Sequence, residues 1–257
     1  MASISEVLAV CERLWPLASA EEWDRPGLIV GDPSVDVTRV LFAVDFTADV
    51  LAEAHATRAN LIIVHHPYLL RGVSTVAEDT AKGAVLSEAI RAGVAVYAAH
   101  TNADIAIDGV SQVFAEALGL ERIEPLTQDG HGRVGDLKSA TTLEELVNLL
   151  VETLPATARG VSASASKDLS VTRVALCGGA GDSFIEAARL SKADVYVTAD
   201  LRHHVTQDAG IPLIDVSHWA SESLWLARAA ESIKKHVEID TLISNINTDP
   251  WVFRSSK

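Results

Sequence analysis

Five side chains of this sequence have the types and spacing that a divalent-metal site requires. His65 and His66 are adjacent and precede Pro67, His218 and Glu222 are four residues apart, and Asp104 closes the run His100-Thr101-Asn102-Ala103-Asp104. On a continuing strand, neighbouring histidines point to opposite faces. Once the strand has ended, both can turn toward one loop cavity, and Pro67 favours an extended or turning path there. Imidazoles placed in this way suit two neighbouring metal ions, one each. At the start of a helix, with Ser217 or Asp215 as cap, His218 and Glu222 leave the same face. Asp104 adds a second carboxylate, and a carboxylate can bridge two cations. A donor set of nitrogen and oxygen without thiolate suits Zn, Fe, Mn, Co or Ni better than Mg or Ca, which prefer all-oxygen shells. Taken singly, a strand-end histidine is more often hydrogen-bonded or solvated than metal-bound, and i,i+4 polar pairs are common on solvated faces. Their joint placement carries the expectation.

That placement follows from a repeat. Val37-Thr38-Arg39-Val40 recurs as Val171-Thr172-Arg173-Val174, an offset of 134 residues, and the same offset maps Ala54 to Ala188 and Ala59–Val64 to Ala193–Thr198. Each copy reads as an apolar run, a loop, an Ala-rich helix and a second apolar run, the order of a βαβ unit with parallel strands. Thr47 is a candidate cap for the first such helix. Gly178-Gly179-Ala180-Gly181 reads as the loop of the second copy, either a tight strand-to-helix turn or an anion cradle; it lacks the GxGxxG order and the Walker lysine. Third apolar runs follow at Gly93–Ala98 and Gly210–Ile214, the first displaced by an extra segment at about 68–81. Ligands of open parallel sheets bind at the carboxyl ends of the strands. There the sequence places His65-His66, His100 with Asp104, Thr198-Ala199-Asp200 with His203-His204, and Asp215 to Glu222. His100 and His204 are candidates for proton transfer or substrate orientation; His203-His204 reads equally as polar residues between a strand and the next helix. His55, His131 and His236 lack such context and are expected at the surface.

Capping boxes at Ser3–Glu6 and Thr142–Glu145 mark two further helices, and Thr127–Gly132 is a turn-rich boundary. Residues 162–167 read as a linker or hairpin loop. The chain is therefore divided into a first α/β half at 1–125, a second at 126–236, and a C-terminal strand and tail at 237–257. With 257 residues, 48% of them hydrophobic and 22% charged, there is ample material for a buried core. The net charge of −14 disfavours nucleic acid as a partner. Cys11 and Cys177 are too far apart and too unlike in context for a disulfide scaffold or thiolate zinc site. No run approaches the roughly 18 apolar residues of a membrane span, and Glu6, Glu12 and Arg13 stand where a signal peptide needs apolar residues. A cytoplasmic protein without a membrane partner is expected.

Taken together, these motifs resemble the Nif-three-like family, often labelled GTP cyclohydrolase 1 type 2 homologues. The resemblance starts at Glu22-Trp23-Asp24-Arg25-Pro26-Gly27-Leu28 and continues through Asp45-Phe46-Thr47, His65-His66-Pro67, His100–Asp104, Cys177–Gly181, Thr198-Ala199-Asp200 and Asp215–Glu222 to Asn247-Thr248-Asp249-Pro250-Trp251. The sequence departs from the family pattern at Arg25 (usually Asn), Ala103 (Leu), Ala199 (Gly) and Ser217 (Gly). The resemblance implies an α/β fold of two similar halves with exchanged C-terminal strands and a toroidal homohexamer. It also implies two divalent cations per subunit between the halves, on His65, His66, Asp104, His218 and Glu222. The leading expectation is a two-metal hydrolase acting on a nucleotide-like or other small anionic substrate. Alternatives are a regulatory or scaffold protein whose metals stabilise the ring, and metal storage or delivery.

Overall fold

Short apolar runs form the central strands, because neither face of such a run tolerates water. The computed structural model describes residues 2–255. Its fold is mixed α/β with two sheets, carried by two compact units, Met1–Ala103 with Leu226–Thr248 and Asp104–Trp225 with Asp249–Lys257.

In the first unit, helix α1 (Ile4–Leu14) begins at Ser3, whose side chain and that of Glu6 cap each other's backbone amides. Strands β1 (Gly27–Val30), β2 (Val40–Ala43), β3 (Leu61–Val64) and β4 (Ala95–Ala98) are joined by α2 (Ala48–Thr57) after β2 and α3 (Ala81–Ala92) after β3. β2, β3 and β4 are parallel, with Ala43 beside Val64 and Val64 beside Ala98. Every residue of these three strands is buried, as a parallel sheet covered on both faces requires. Thr47 caps α2 by accepting from the Val50 amide. The short turn α4 (Thr101–Asp104) follows β4.

The second unit contains α5 (Val110–Ala117), β5 (Glu121–Pro125), β6 (Arg133–Thr142), α6 (Leu143–Thr153), β7 (Ser162–Ala163), β8 (Ser170–Ala180), α7 (Ile185–Leu190), β9 (Val195–Ala199), α8 (His203–Asp208), β10 (Leu213–Val216) and α9 (His218–Ser223). The sheet order is β5-β6-β8-β9-β10-β7. β8, β9 and β10 are parallel, and Val216 lies beside Ala199. Phe114 of α5, Leu143 and Leu146 of α6, and Val174, Val197 and Ile214 of the strands share one core. The chain then returns to the first unit through α10 (Trp225–Lys234) and β11 (Thr241–Ile243), which adds parallel to β2. The first sheet is thus ordered β1-β4-β3-β2-β11.

Residues 134 apart build the same detail in each unit. The Thr38 amide donates to Asn60 Oδ1 at 2.8 Å, and the Thr172 amide donates to Asp194 Oδ2 at 2.8 Å. Arg39 donates to the Thr57 carbonyl and Arg173 to that of Ser191. The helices end at left-handed residues, Arg58 (φ 59°) and Lys192 (φ 60°). The repeated Val-Thr-Arg-Val therefore marks a strand start tied to the end of the helix that follows it.

Four details differ from the sequence reading. α5 lies before the expected division at 125 yet packs in the second unit, and α10 lies before 237 yet packs mainly in the first; an amphipathic face does not specify which sheet it covers. Gly178 and Gly179 belong to β8, which runs on to Ala180 through a register shift against β9 instead of ending in a loop. Ser162 and Ala163 form an edge strand on β10. His131 is buried, its ring stacked on Phe184 at 5.0 Å. No helix of the described residues is long and apolar enough to cross a membrane.

Candidate metal centre

The carboxyl ends of β3 and β4 place three histidines of the first unit together. His65 follows β3 and is fully buried; its Nδ1 lies 2.9 Å from the Ala99 carbonyl oxygen. His66 is half-buried, with Nδ1 2.7 Å from Asp45 Oδ1, while Asp45 Oδ2 accepts from Thr248 Oγ1 at 2.5 Å. His100 follows β4, with Nδ1 2.8 Å from Asp24 Oδ1. Ring centroids are 5.0 Å (His65–His66), 5.1 Å (His65–His100) and 5.5 Å (His66–His100) apart, and one ring nitrogen from each lies within 4.8 Å of the others. A carbonyl or carboxylate oxygen only accepts, so each Nδ1 is the donor to its partner and Nε2 is the ring nitrogen facing away from that acceptor. This is how metal-binding histidines are oriented: an oxygen acceptor behind one ring nitrogen fixes the tautomer and aims the other.

Asp24 also accepts from the Thr101 amide at 3.0 Å and from Thr101 Oγ1 at 2.5 Å. Burial alone would raise its pKa, but the hydrogen bonds from His100 and Thr101 outweigh it and hold the carboxyl well below the usual range. A lowered folded-state pKa contributes stability that is complete above the unfolded value, near pH 4, and is lost as pH falls through the folded one. Replacing Asp24 by Asn is therefore expected to lower stability at neutral pH and to flatten its decline below about pH 4; urea midpoints at pH 7 and pH 3 check this, and parallel pH profiles for the two proteins would contradict it.

In the second unit the same construction recurs at β9 and β10. Ser217 starts α9, accepting from the Ala220 amide and donating to Asp249 Oδ2 at 2.5 Å. Helical spacing then brings His218 Nε2 to 2.9 Å from Glu222 Oε1. His218 Nδ1 is held by Asp200 Oδ2 at 2.8 Å, and this hydrogen bond depresses the Asp200 pKa. Asp200 adopts φ 58°, an uncommon conformation for a residue other than glycine, which turns its carboxylate back toward the ring that follows β10. Glu222 is buried, and β8 runs close beneath it: a Cβ on Gly179 would lie 2.2 Å from Glu222 Oε1 and 3.1 Å from His218 Nε2. Asp104 ends α4. Burial first, then the negative charge of Asp104 and less strongly that of Glu222, pushes the Cys177 thiol up to about 12. In the absence of a metal, a thiol so held stays protonated at neutral pH.

Imidazole nitrogens aimed by oxygen acceptors and a buried carboxylate in a cradle that only glycine leaves open fit a divalent transition metal. His204 is exposed at the start of α8, edge-on to His203 at 5.2 Å, and this frame does not include it. Asp24, Asp45, Asp200 and Gly179 complete this frame and are not among the five expected ligands. Asp45 and Asp200 stand just past the ends of β2 and β9, a position that marks them in the sequence, whereas Asp24 precedes β1 and Gly179 lies within β8.

Comparison with known proteins agrees with the fold. A Streptomyces coelicolor protein named GTP cyclohydrolase 1 type 2 homolog is 40% identical over 98% of this chain and 94% of its own length. A Mycobacterium tuberculosis protein of the same name is 30% identical over 96% of each chain. Among solved structures, a Staphylococcus aureus protein superposes with a TM-score of 0.91 at 27% identity, covering 98% of this chain and 99% of that one. A Bacillus cereus protein described as related to NIF3 has the same fold, with a TM-score of 0.91, 24% identity and the same coverage. The model of one family matches residues 2–250, and the chain belongs to that family, Duf34/NIF3 (NGG1p interacting factor 3).

Proposed function

We propose that the protein binds two divalent cations through His65, His66, Asp104, His218 and Glu222, and that it is a metal-dependent hydrolase of a nucleotide-like or other small anionic substrate. The observation that carries this reading is the anchoring of His65, His66 and His218 at Nδ1 by an oxygen acceptor, the arrangement that orients metal-binding histidines. The names of the relatives support the substrate class. Bound there, two divalent cations supply Lewis acidity toward water and the electrophile. Asp24 keeps the proton on His100 Nδ1, so Nε2 is the atom that accepts a proton from the attacking water or returns it to the leaving group. The net charge of −14 does not repel an anionic substrate, because the cations dominate the local field.

The test is turnover by metal-replete protein on nucleotide and phosphoester panels, beside the double variant His65→Ala/Glu222→Ala. Activity at least about 100-fold lower in the variant is expected. No turnover by the native protein, or equal turnover by both, overturns the hydrolase reading.

A second reading, a regulatory or scaffold protein in a homohexameric ring, is favoured by the C-terminal tail, where Trp251, Val252 and Phe253 are 57%, 91% and 81% exposed. Three consecutive large apolar side chains in water mark a contact surface. On this reading, a chain ending at Pro250 sediments as smaller particles than the full chain; unchanged sedimentation removes the tail as an assembly contact.

A further inference from the structure

The His218 frame converges on a residue outside every motif considered so far. Arg159 lies in the loop after α6, and its side chain is 31% exposed. Its Nη2 lies 2.8 Å from Asp215 Oδ2 and its Nη1 3.7 Å from Asp200 Oδ1. Pairing with Asp215, and the nearby charges of Asp200 and Asp249, raise its pKa further. Each of these carboxylates holds a different part of the His218 frame. Asp200 carries the ring, through Nδ1 at 2.8 Å. Asp215 Oδ1 accepts from the amide of Leu201, the residue after Asp200, at 3.2 Å. Asp249 holds Ser217, the cap of the helix that bears His218 and Glu222. Without the guanidinium beside both, the carboxylates of Asp200 and Asp215 repel each other. The tail secures the loop in turn, with Arg254 Nη1 donating to the Arg159 carbonyl at 3.2 Å.

We propose that Arg159 is a positioning residue: one guanidinium braces Asp215 and Asp200 together and so fixes the orientation of His218 for a divalent cation. The planar fork suits the task, since it reaches two carboxylates at once while a lysine ammonium is a single point charge. The inference rests on the metal-binding reading of His218. It also gives the motif Asn247–Trp251 a purpose, because Asp249 is the tail's contribution to the hub.

The test compares Arg159→Ala and Arg159→Lys with the native protein in three measurements: zinc affinity by chelator competition, thermal midpoint of the metal-free protein, and the Nδ1–H resonance of His218 in the metal-free protein. Arg159→Ala is expected to weaken zinc binding by about 10–100-fold, the usual effect of removing an outer-shell partner. Its His218 Nδ1–H resonance should lose the downfield shift that the hydrogen bond to Asp200 gives it, and Arg159→Lys should recover part of both losses. Native zinc affinity and an unaltered Nδ1–H resonance in Arg159→Ala overturn the inference. So does a loss of affinity that only tracks a fall in thermal midpoint with that resonance intact. If the native protein itself binds no zinc, the metal reading fails, and the Nδ1–H resonance of the metal-free protein alone decides the role of Arg159.

Discussion

Replacing Gly179 by Ala is expected to abolish metal binding at His218 and Glu222 with a single added methyl group. The new Cβ would lie 2.2 Å from Glu222 Oε1, which is 2.9 Å from His218 Nε2, so the two proposed ligands cannot keep their present arrangement. The backbone has no room to withdraw. The Gly179 amide donates to Ser221 Oγ at 3.0 Å and its carbonyl accepts from Thr198 Oγ1 at 3.0 Å, so the strand is pinned on both sides. Nor can the carboxylate move into solvent, because Glu222 is only 3% exposed. The left-handed backbone at Gly179, φ 67°, adds roughly 1–2 kcal/mol of strain for any residue with a side chain. A loss of about 100-fold or more in zinc affinity is expected, with a fall in stability of roughly 1–3 kcal/mol. Chelator competition and urea denaturation check the two parts. Gly178→Ala is the control: its Cβ would meet Val110 Cγ1 at 2.6 Å, an apolar clash away from the ligands. It should cost stability and leave affinity near native. Native affinity in Gly179→Ala would show that Glu222 does not hold its metal where β8 approaches it.

The candidate ligand residues stand out in the sequence, and the hydrogen-bonded frame behind them does not. His65-His66 and the His218/Glu222 spacing stand out because residue type and i,i+4 geometry are local properties. Their partners are set by strand register. Ala43 lies beside Val64 in the parallel pair β2 and β3, and two residues further on Asp45 meets His66. Val64 lies beside Ala98, and one residue further on His65 meets the Ala99 carbonyl. Val216 lies beside Ala199, so Asp200 is level with Ser217 and reaches His218. The βαβ pattern named the strands and left their register open, and each acceptor needs that register to find its histidine. Asp24 stands 76 residues from His100, and nothing local in the sequence marks their meeting. The fold class followed from the repeated strand-helix-strand order. The packing of α5 and α10 did not, because an amphipathic helix shows that it has a partner without showing which one.

The largest stability effect is expected at Arg133, a residue with no chemistry of its own. Its side chain lies almost wholly out of water, at 3% exposure, and every arm of the guanidinium is used. Nε donates to Gln112 Oε1 at 2.8 Å, Nη1 to the carbonyls of Gly130 and Gly132 at 2.7 Å each, and Nη2 to the carbonyl of Ala106 at 2.9 Å. Burial lowers its pKa while the negative charge of Asp104 opposes the shift, yet an arginine so placed remains a cation. One buried charge thus gathers the turn at 127–132, helix α5 and the stretch just past Asp104. Truncation to Ala leaves four acceptors, that of Gly132 buried and the other three partly so, without this donor, and a cavity where the guanidinium lay. Each unsatisfied acceptor costs about 1–3 kcal/mol, with partial relief wherever water enters, so a net loss on the order of 3–5 kcal/mol is expected. Lysine keeps the charge but offers one ammonium in place of a planar fork, and it cannot span acceptors spread around four sides. Arg133→Lys should therefore recover less than half of the loss. Gln112→Ala removes only the Nε acceptor and should cost about 1–2 kcal/mol, because the other three hydrogen bonds still hold the group. Urea denaturation of the three variants, with equal m-values required before the midpoints are compared, ranks them. A lysine variant as stable as the native protein would mean that charge alone holds this region, and that the fork geometry contributes nothing to placing the loop that follows Asp104.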